Sequence, residues 1–134
     1  MEKSQFDWNW IPQVSVGSFV FDKKIEIEKL AFETIDVSDR EEDWRTYEIK
    51  NEGSRFYISK DGSLQSIECQ NVFLYKGINF IGSKLQDIEK VVNFKFEIGD
   101  CNEFGREIVN RDIGITLWEE YGIIASVSAD SGNS

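Results

Sequence analysis

The chain has 134 residues, of which 40% are hydrophobic and 13% aromatic, and this is enough apolar material for one ordinary folded domain. Its 25 acidic and 15 basic residues give a formal net charge of −10, which disfavours direct binding to nucleic acid or to anionic membrane surfaces and favours a basic partner. No stretch approaches the ~20 apolar residues of a membrane span, and the first residues lack the apolar run of a signal peptide. We therefore expect a cytoplasmic protein.

Several kinds of catalytic chemistry are excluded because the sequence contains no histidine, which removes Ser-His-Asp triads, Cys-His pairs and His-ligated metals. The two cysteines have no CxxC spacing, and Cys69 continues an alternating apolar pattern that predicts burial. The sequence does not decide whether Cys69 and Cys101 form a disulfide bond. The acidic residues at 36–43 lack both the spacing and the glycine of a calcium-binding loop. We predict no catalytic residue, no metal and no cofactor.

The first part of the chain predicts extended structure and then a helix. Residues 13–21 alternate apolar and small side chains, as a strand does. Asp22 suits a helix N-cap, and Ile27, Leu30 and Ala31 follow at the spacing of one helical face.

Three strands are predicted next. The acidic interval 33–43 predicts a long loop or a ragged helix end, and alternation then predicts strands over 44–50, 55–59 and 63–71. The dipeptide Asp61-Gly62 is typical of the tight turn of a hairpin.

The second half predicts a clearer helix and more strands. Ser83 and Gln86 form a capping-box pair, and Leu85, Ile88 and Val91 share one helical face. Further strands are predicted over 95–98 or 107–110, then over 113–119 and 123–129.

Two segments recur in one order. Ile27-Glu28-Lys29-Leu30 returns 61 positions later as Ile88-Glu89-Lys90-Val91, and the hairpin around Gly62 returns 60 positions later around Gly122. This predicts a duplicated helix-plus-three-strand unit, with pseudo-repeats at about 14–75 and 76–129 of a single domain 1–134. The predicted fold class is α+β, with an antiparallel sheet of six or seven strands and two helices.

Acidic residues next to aromatic ones are the candidate partner-binding residues. Charge of this sign speeds encounter with a basic partner, and an aromatic side chain supplies desolvated contact. The alternative is a solvated acidic linker whose tryptophan faces the core. The candidates are Asp39, Glu41, Glu42, Asp43, Trp44, Glu97, Asp100, Glu103, Glu119, Glu120 and Tyr121.

One stretch carries a family resemblance. The run Gly77-Ile78-Asn79-Phe80-Ile81-Gly82-Ser83, followed by a predicted helix and by Trp118-Glu119-Glu120-Tyr121-Gly122-Ile123-Ile124, is similar to bacterial immunity proteins. Bacteria encode such proteins beside contact-dependent growth-inhibition toxins and related polymorphic toxins. The resemblance implies tight binding to one cognate toxin, commonly a basic nuclease, and occlusion of its active site or substrate surface. Immunity families share no universal motif, so no functional residue carries over.

Two other classes of function stay open. A small carboxylate-based enzyme or ligand-binding module predicts a concave pocket that holds a carboxylate with a raised pKa. A scaffold subunit of a larger assembly predicts an apolar patch instead. The immunity function predicts an open acidic surface, and the oligomeric state is not fixed by the sequence.

Overall fold

Strands dominate the fold in the computed structural model, which describes residues 7–30, 33–39, 41 and 43–132. About 45% of the chain lies in strands and 7% in helices, so the predicted α+β class with two helices is wrong. The strands are β1 (Trp10–Ile11), β2 (Ser15–Val16), β3 (Phe19–Val20), β4 (Thr34–Asp36), β5 (Arg45–Ile49), β6 (Arg55–Ile58), β7 (Leu64–Cys69), β8 (Leu74–Tyr75), β9 (Ile78–Asn79), β10 (Glu97–Cys101), β11 (Arg106–Asn110), β12 (Ile115–Glu120) and β13 (Ile123–Asp130). One short α-helix, α1 (Leu85–Glu89), and one 3-10 helix (Ile27–Lys29) complete the elements of the described ranges.

One antiparallel sheet of eight strands forms the body of the molecule, in the order β10-β11-β12-β13-β7-β6-β5-β4. The prediction of six or seven strands was too low for two reasons. Thr34–Asp36 pairs with β5 as an edge strand inside the interval predicted to be a loop or a ragged helix end. Segments 95–98 and 107–110 were predicted as alternatives, but the overlapping strands β10 and β11 both form and pair with each other. Strands β1–β3 form a small second sheet, and β8–β9 form a separate hairpin.

Extended chain followed by a single 3-10 turn, Ile27–Lys29, replaces the predicted first helix. Asp22, the predicted N-cap, has a φ of +66° and donates its backbone N–H to the carbonyl oxygen of Leu64 at 2.8 Å. Ile25 donates to the carbonyl oxygen of Gly62 at 3.1 Å, so this segment runs along the β6–β7 hairpin. Non-local hydrogen bonds thus override a helical pattern that is only one turn long. Ala31, the last residue of the predicted stripe, lies outside the described residues.

The second predicted helix exists but is short. Its N-cap is Lys84, which makes no side-chain capping bond, and Ser83 instead donates its hydroxyl to the carbonyl oxygen of Asn79 at 2.6 Å. The predicted capping box is therefore wrong. The helix ends before the β-branched pair Val91-Val92, which has low helix propensity. Its fully buried residue Ile88 anchors it to the core.

The sheet contains two four-strand meanders with matching internal register. In the first, Tyr57 on β6 pairs with Ser66 on β7, and the register shifts directly after Tyr57. In the second, Trp118 on β12 pairs with Ser126 on β13, and the register shifts directly after Trp118. Bulges at matching positions bend both meanders at the same place.

The meanders join through their last strands, β7 and β13. Glu68 pairs with Ser128, and these residues are 60 positions apart, which is the spacing of the hairpin repeat. A local pseudo-twofold axis therefore passes between this pair, as it would at an isologous contact. The predicted division into a single domain with repeats at about 14–75 and 76–129 stays a prediction.

The hydrophobic core lies on one face of the sheet, beneath β1–β3, the β8–β9 hairpin and α1. Phe56 is fully buried, with its ring centroid 5.2 Å from that of Phe19 on β3. On the same side, Ile124 donates its backbone N–H to the carbonyl oxygen of Ser83 at 2.9 Å. Cys69 is buried as predicted. No helix in the described part of the chain is long and apolar enough to cross a membrane.

Candidate partner-binding face

The second face of the eight-stranded sheet presents polar and charged side chains. Its positions alternate with the core positions along each strand and lie outside the main core cluster in the described ranges, although Val109 is itself buried. We call this side the open face. It comprises Ile35, Thr46, Glu48, Arg55, Tyr57, Ser66, Glu68, Glu97, Glu107, Val109, Thr116, Trp118, Glu120, Ser126, Ser128 and Asp130.

The net charge belongs entirely to the chain segments that build the sheet. Residues 34–69 and 97–132 contain 17 acidic and 7 basic side chains, which accounts for the whole net charge of −10. Residues 7–33 and 70–96, which supply the covering layer, contain seven acidic and seven basic side chains. The negative field of the molecule therefore originates from the sheet strands and the connections between them.

Carboxylates on the open face are held by specific partners. Tyr57 donates its hydroxyl to Glu68 Oε1 at 3.2 Å, and Arg55 Nε donates to Glu48 Oε1 at 3.1 Å. Burial, reinforced by the negative charge of Glu68, raises the pKa of Tyr57 above its usual value. Arg55 is the one basic residue in the set that defines the open face, and its pairing with Glu48 leaves the surrounding charge negative.

One end of the open face carries an apolar groove, which we call the Trp44 groove. Its volume is about 480 Å³, it is open to solvent, and its lining includes Asp43, Trp44, Tyr57, Lys60 and Gln65. The side chain of Trp44 is 45% exposed. The alternative in which this tryptophan faces the core is therefore wrong.

The opposite end of the sheet protrudes, at a site that we call the Tyr121 corner. It is formed by residues 101–106 together with Glu119 and Tyr121. Tyr121 is 89% exposed and Phe104 is 60% exposed. Arg106 Nε donates to Glu119 Oε1 at 2.6 Å, and this hydrogen bond raises the pKa of Arg106.

The Trp118 side chain lies on the open face beside the Tyr121 corner. Its indole N–H donates to Glu120 Oε2 at 2.7 Å. A Cβ atom placed on Gly105 would clash with the carbonyl oxygen of Glu119 and lie 3.0 Å from the Trp118 ring. Glycine is thus favoured here because the neighbouring backbone and the indole both approach closely.

The structure separates the acidic residues that the sequence grouped together. Strand directions place the β4–β5 connection at the same end as the β6–β7 turn, and the β10–β11 and β12–β13 turns at the other end. Asp39, Glu41 and Asp43 are therefore remote from Tyr121, whereas Glu103 lies beside it. Glu42 lies outside the described residues.

The remaining candidates have different surroundings. Glu120 lies on the open face, where it accepts the Trp118 bond. Glu97 and Asp100 lie on the edge strand β10. Glu119 points to the other side of the sheet and is neutralised by Arg106, so it is poorly suited to bind a partner.

Most residues of the open face were not predicted as partner-binding residues. Glu48, Tyr57, Glu68, Glu107 and Trp118 were not among the candidates, although each one alternates with a core position on its own strand. This alternation alone could have predicted that these residues share the face opposite the core. The predicted sites followed the acidic runs in the loops instead, because single carboxylates spaced along strands do not form a run in the sequence.

Two carboxylates of the described residues have lowered pKa values, and a buried thiol has a raised one. Hydrogen bonds from Ser38 lower the pKa of Asp36, and hydrogen bonds from Ser59 and Ser63 lower that of Asp61, opposite to the raised value that a general acid needs. Burial raises the pKa of the Cys69 thiol far above its usual value. Within the described ranges, no three cysteine or carboxylate side chains gather as metal ligands.

No family model, curated protein or solved structure matches this chain.

Proposed function

We propose that the chain is a cytoplasmic immunity protein that binds and neutralises a cognate basic toxin, such as a nuclease, by occluding its active site or substrate-binding surface. One observation carries this function: the open face holds six carboxylates (Glu48, Glu68, Glu97, Glu107, Glu120 and Asp130) and one basic residue, Arg55, within sheet segments that account for the whole net charge of −10. A covering layer with balanced charge leaves that negative field directed outwards.

The mechanism is electrostatic and steric. Each open-face carboxylate lies across from an uncharged residue or from Arg55: Glu48 and Glu68 flank Arg55, and Glu107 pairs with Trp118. The carboxylates are thus spread over the face as separate negative charges. They can pair with the lysine and arginine side chains that would otherwise hold phosphates. An interface of ~1,600 Å² with a few aromatic anchors is sufficient for nanomolar binding.

The decisive experiment uses the protein encoded by the neighbouring gene. We expect that protein to be basic and toxic, and we expect the present chain to abolish its activity at equimolar ratio. The association rate should fall steeply with added salt because long-range steering is screened. A neighbouring protein that remains fully active with excess chain present would refute the assignment.

A matched pair of triple variants tests whether the open face makes the contact. The open-face set should slow association and weaken inhibition by about tenfold or more, whereas the covering-layer set, with the same change in charge, should leave both unchanged. Equal effects of the two sets would show that only the total charge matters. The open-face set is Glu68→Gln, Glu107→Gln and Glu120→Gln, and the control set is Glu28→Gln, Asp87→Asn and Glu89→Gln.

The acidic connection before β5 needs a test of its own. Charge reversal of Glu41, Glu42 and Asp43 together should slow association if the partner also contacts that end of the sheet. If inhibition is unaffected while the open-face set is impaired, the sequence-based loop candidates do not belong to the site.

The Trp44 groove favours a second candidate, a ligand-binding module. Its volume of about 480 Å³ lies within the ~300–1,000 Å³ range of small-molecule sites. This candidate predicts saturable binding of a small molecule that protects the chain against unfolding. The lowered pKa values of Asp36 and Asp61 do not favour an enzyme based on a carboxylic acid, and we expect no turnover by the purified chain.

A further inference from the structure

We propose that the Trp44 groove receives one aromatic side chain of the basic partner, with flanking lysine or arginine side chains of that partner on the open face. This inference rests on the proposed function. It identifies the anchoring contact of the interface as an aromatic side chain of the partner that stands between basic side chains of the same partner.

The groove is prepared for such a contact. Trp44 is 45% exposed beside Asp43, and Tyr57 contributes a second ring to the lining. The hydrogen bond from the Tyr57 hydroxyl to Glu68 fixes the orientation of that ring before any partner arrives. A preformed aromatic site loses little conformational entropy on binding, and aromatic anchors in desolvated pockets dominate interface energies.

The pseudo-symmetric half shows that this groove is not imposed by the scaffold. Arg45 and Arg106 start corresponding strands, so Trp44 corresponds to Gly105, while Tyr57 corresponds to Trp118. In the second half Gly105 carries no side chain, and the Trp118 ring lies against its backbone. The two halves therefore differ at this position, and the pair of rings formed by Trp44 and Tyr57 belongs to the first half alone.

A protein side chain suits the groove better than a free small molecule. Tyr57 and Ser66 belong both to the groove and to the open face, so the cavity continues into the acidic surface. A small ligand in a groove open to solvent would keep much of its surface in water, whereas typical ligand sites bury 70–90%. A protein that covers the face would close the groove as it binds.

A second copy of this chain is a poor occupant. Its protruding Tyr121 corner carries Glu103 next to the exposed Phe104, and each copy has a net charge of −10. The groove itself is lined by one acid and one base, Asp43 and Lys60, so the repulsion comes from the net charge of the two copies. Charge complementarity therefore selects a basic protein.

The test uses two capped peptides of equal charge, Lys-Arg-Phe-Arg-Lys and Lys-Arg-Ala-Arg-Lys, titrated at low salt into the full-length chain labelled with nitrogen-15. The phenylalanine peptide should bind about tenfold more tightly, which corresponds to about 1.4 kcal/mol. Its shift changes should centre on the groove. Trp44→Ala should bring its affinity down to that of the alanine peptide, whereas Phe104→Ala, which removes an exposed ring from the other end, should leave the difference intact.

The outcomes separate the two proposals. Equal affinities of the two peptides for the unmodified chain, with salt-sensitive binding retained, would overturn the groove assignment and leave the acidic face standing. A preference for phenylalanine that survives Trp44→Ala would also overturn it, as would self-association that Trp44→Ala abolishes. Failure of both peptides to show any salt-sensitive binding would instead count against the acidic face and the proposed function.

Discussion

Phe56→Ala tests whether the covering layer and the large sheet share one core. The Phe56 ring is fully buried on β6, with its centroid 5.2 Å from that of Phe19 in the covering layer and 5.8 Å from that of Tyr47 on the neighbouring strand. Truncation removes both ring contacts and leaves a cavity between the two layers. Partial relaxation cannot fill a cavity of that kind, because close-packed interiors collapse only slightly.

The expected magnitude is large for a protein of this size. Truncation of a buried phenylalanine to alanine lowers the free energy of unfolding by about 3–5 kcal/mol, out of a total of about 5–15 kcal/mol. Each kcal/mol shifts Tm by a few degrees in a chain of this length, so Tm should fall by about 10–20 °C.

Urea unfolding followed by tryptophan fluorescence and by circular dichroism measures this loss. The two probes should give coincident transitions, and the m-value should stay unchanged, because the same surface is exposed on unfolding. Phe104→Ala is the control, since Phe104 is 60% exposed and its removal should change the free energy of unfolding by less than about 0.5 kcal/mol. A loss below about 1.5 kcal/mol for Phe56→Ala, with the m-value unchanged, would refute a core shared by the two layers.

Three further outcomes follow from individual contacts. Gly105→Ala should lower the free energy of unfolding, measured in urea, by about 1–3 kcal/mol, because the new Cβ meets the neighbouring backbone and an indole ring. Gly99→Ala is the control: its Cβ meets only the flexible side chain of Glu107, so its free energy of unfolding should fall by less. Folding raises the pKa of Tyr57, so above about pH 10 this hydroxyl ionises first in the unfolded state, and the free energy of unfolding falls as pH rises further. Tyr57→Phe should reduce that alkaline loss of stability, as measured by urea unfolding at a series of pH values. A thiol reagent should label the exposed Cys101 in the folded chain, and the buried Cys69 only after unfolding; equal labelling rates would contradict the burial.

Local patterns predicted most of the strands. The predicted strands over 44–50, 55–59 and 123–129 correspond to β5, β6 and β13, since two-residue alternation is a short-range signal. The Asp61-Gly62 turn lies between β6 and β7, as the dipeptide indicates, and the side chain of Asp61 accepts the backbone N–H of Ser63 at 3.0 Å. These features need no information from distant parts of the chain.

Helices were predicted less well because they depended on distant partners. The segment that begins at Asp22 has a helical apolar stripe, yet its backbone N–H groups bond to Gly62 and Leu64, about 40 residues away. A single helical turn is only marginally stable and does not form in place of these backbone hydrogen bonds. Local helix propensity cannot predict hydrogen bonds to residues so distant in the sequence.

The sequence by itself determined the net charge, the absence of histidine chemistry, most strand positions and the internal spacing of 60 residues. The tertiary structure alone decided which acidic residues act together. Strand direction sends Asp43 and Tyr121 to opposite ends of one sheet, and register places Glu68 beside Tyr57 while Glu119 is turned away towards Arg106. Side-chain partners in an antiparallel sheet are set by non-local pairing, so a list of charged residues in chain order cannot show which of them share a face.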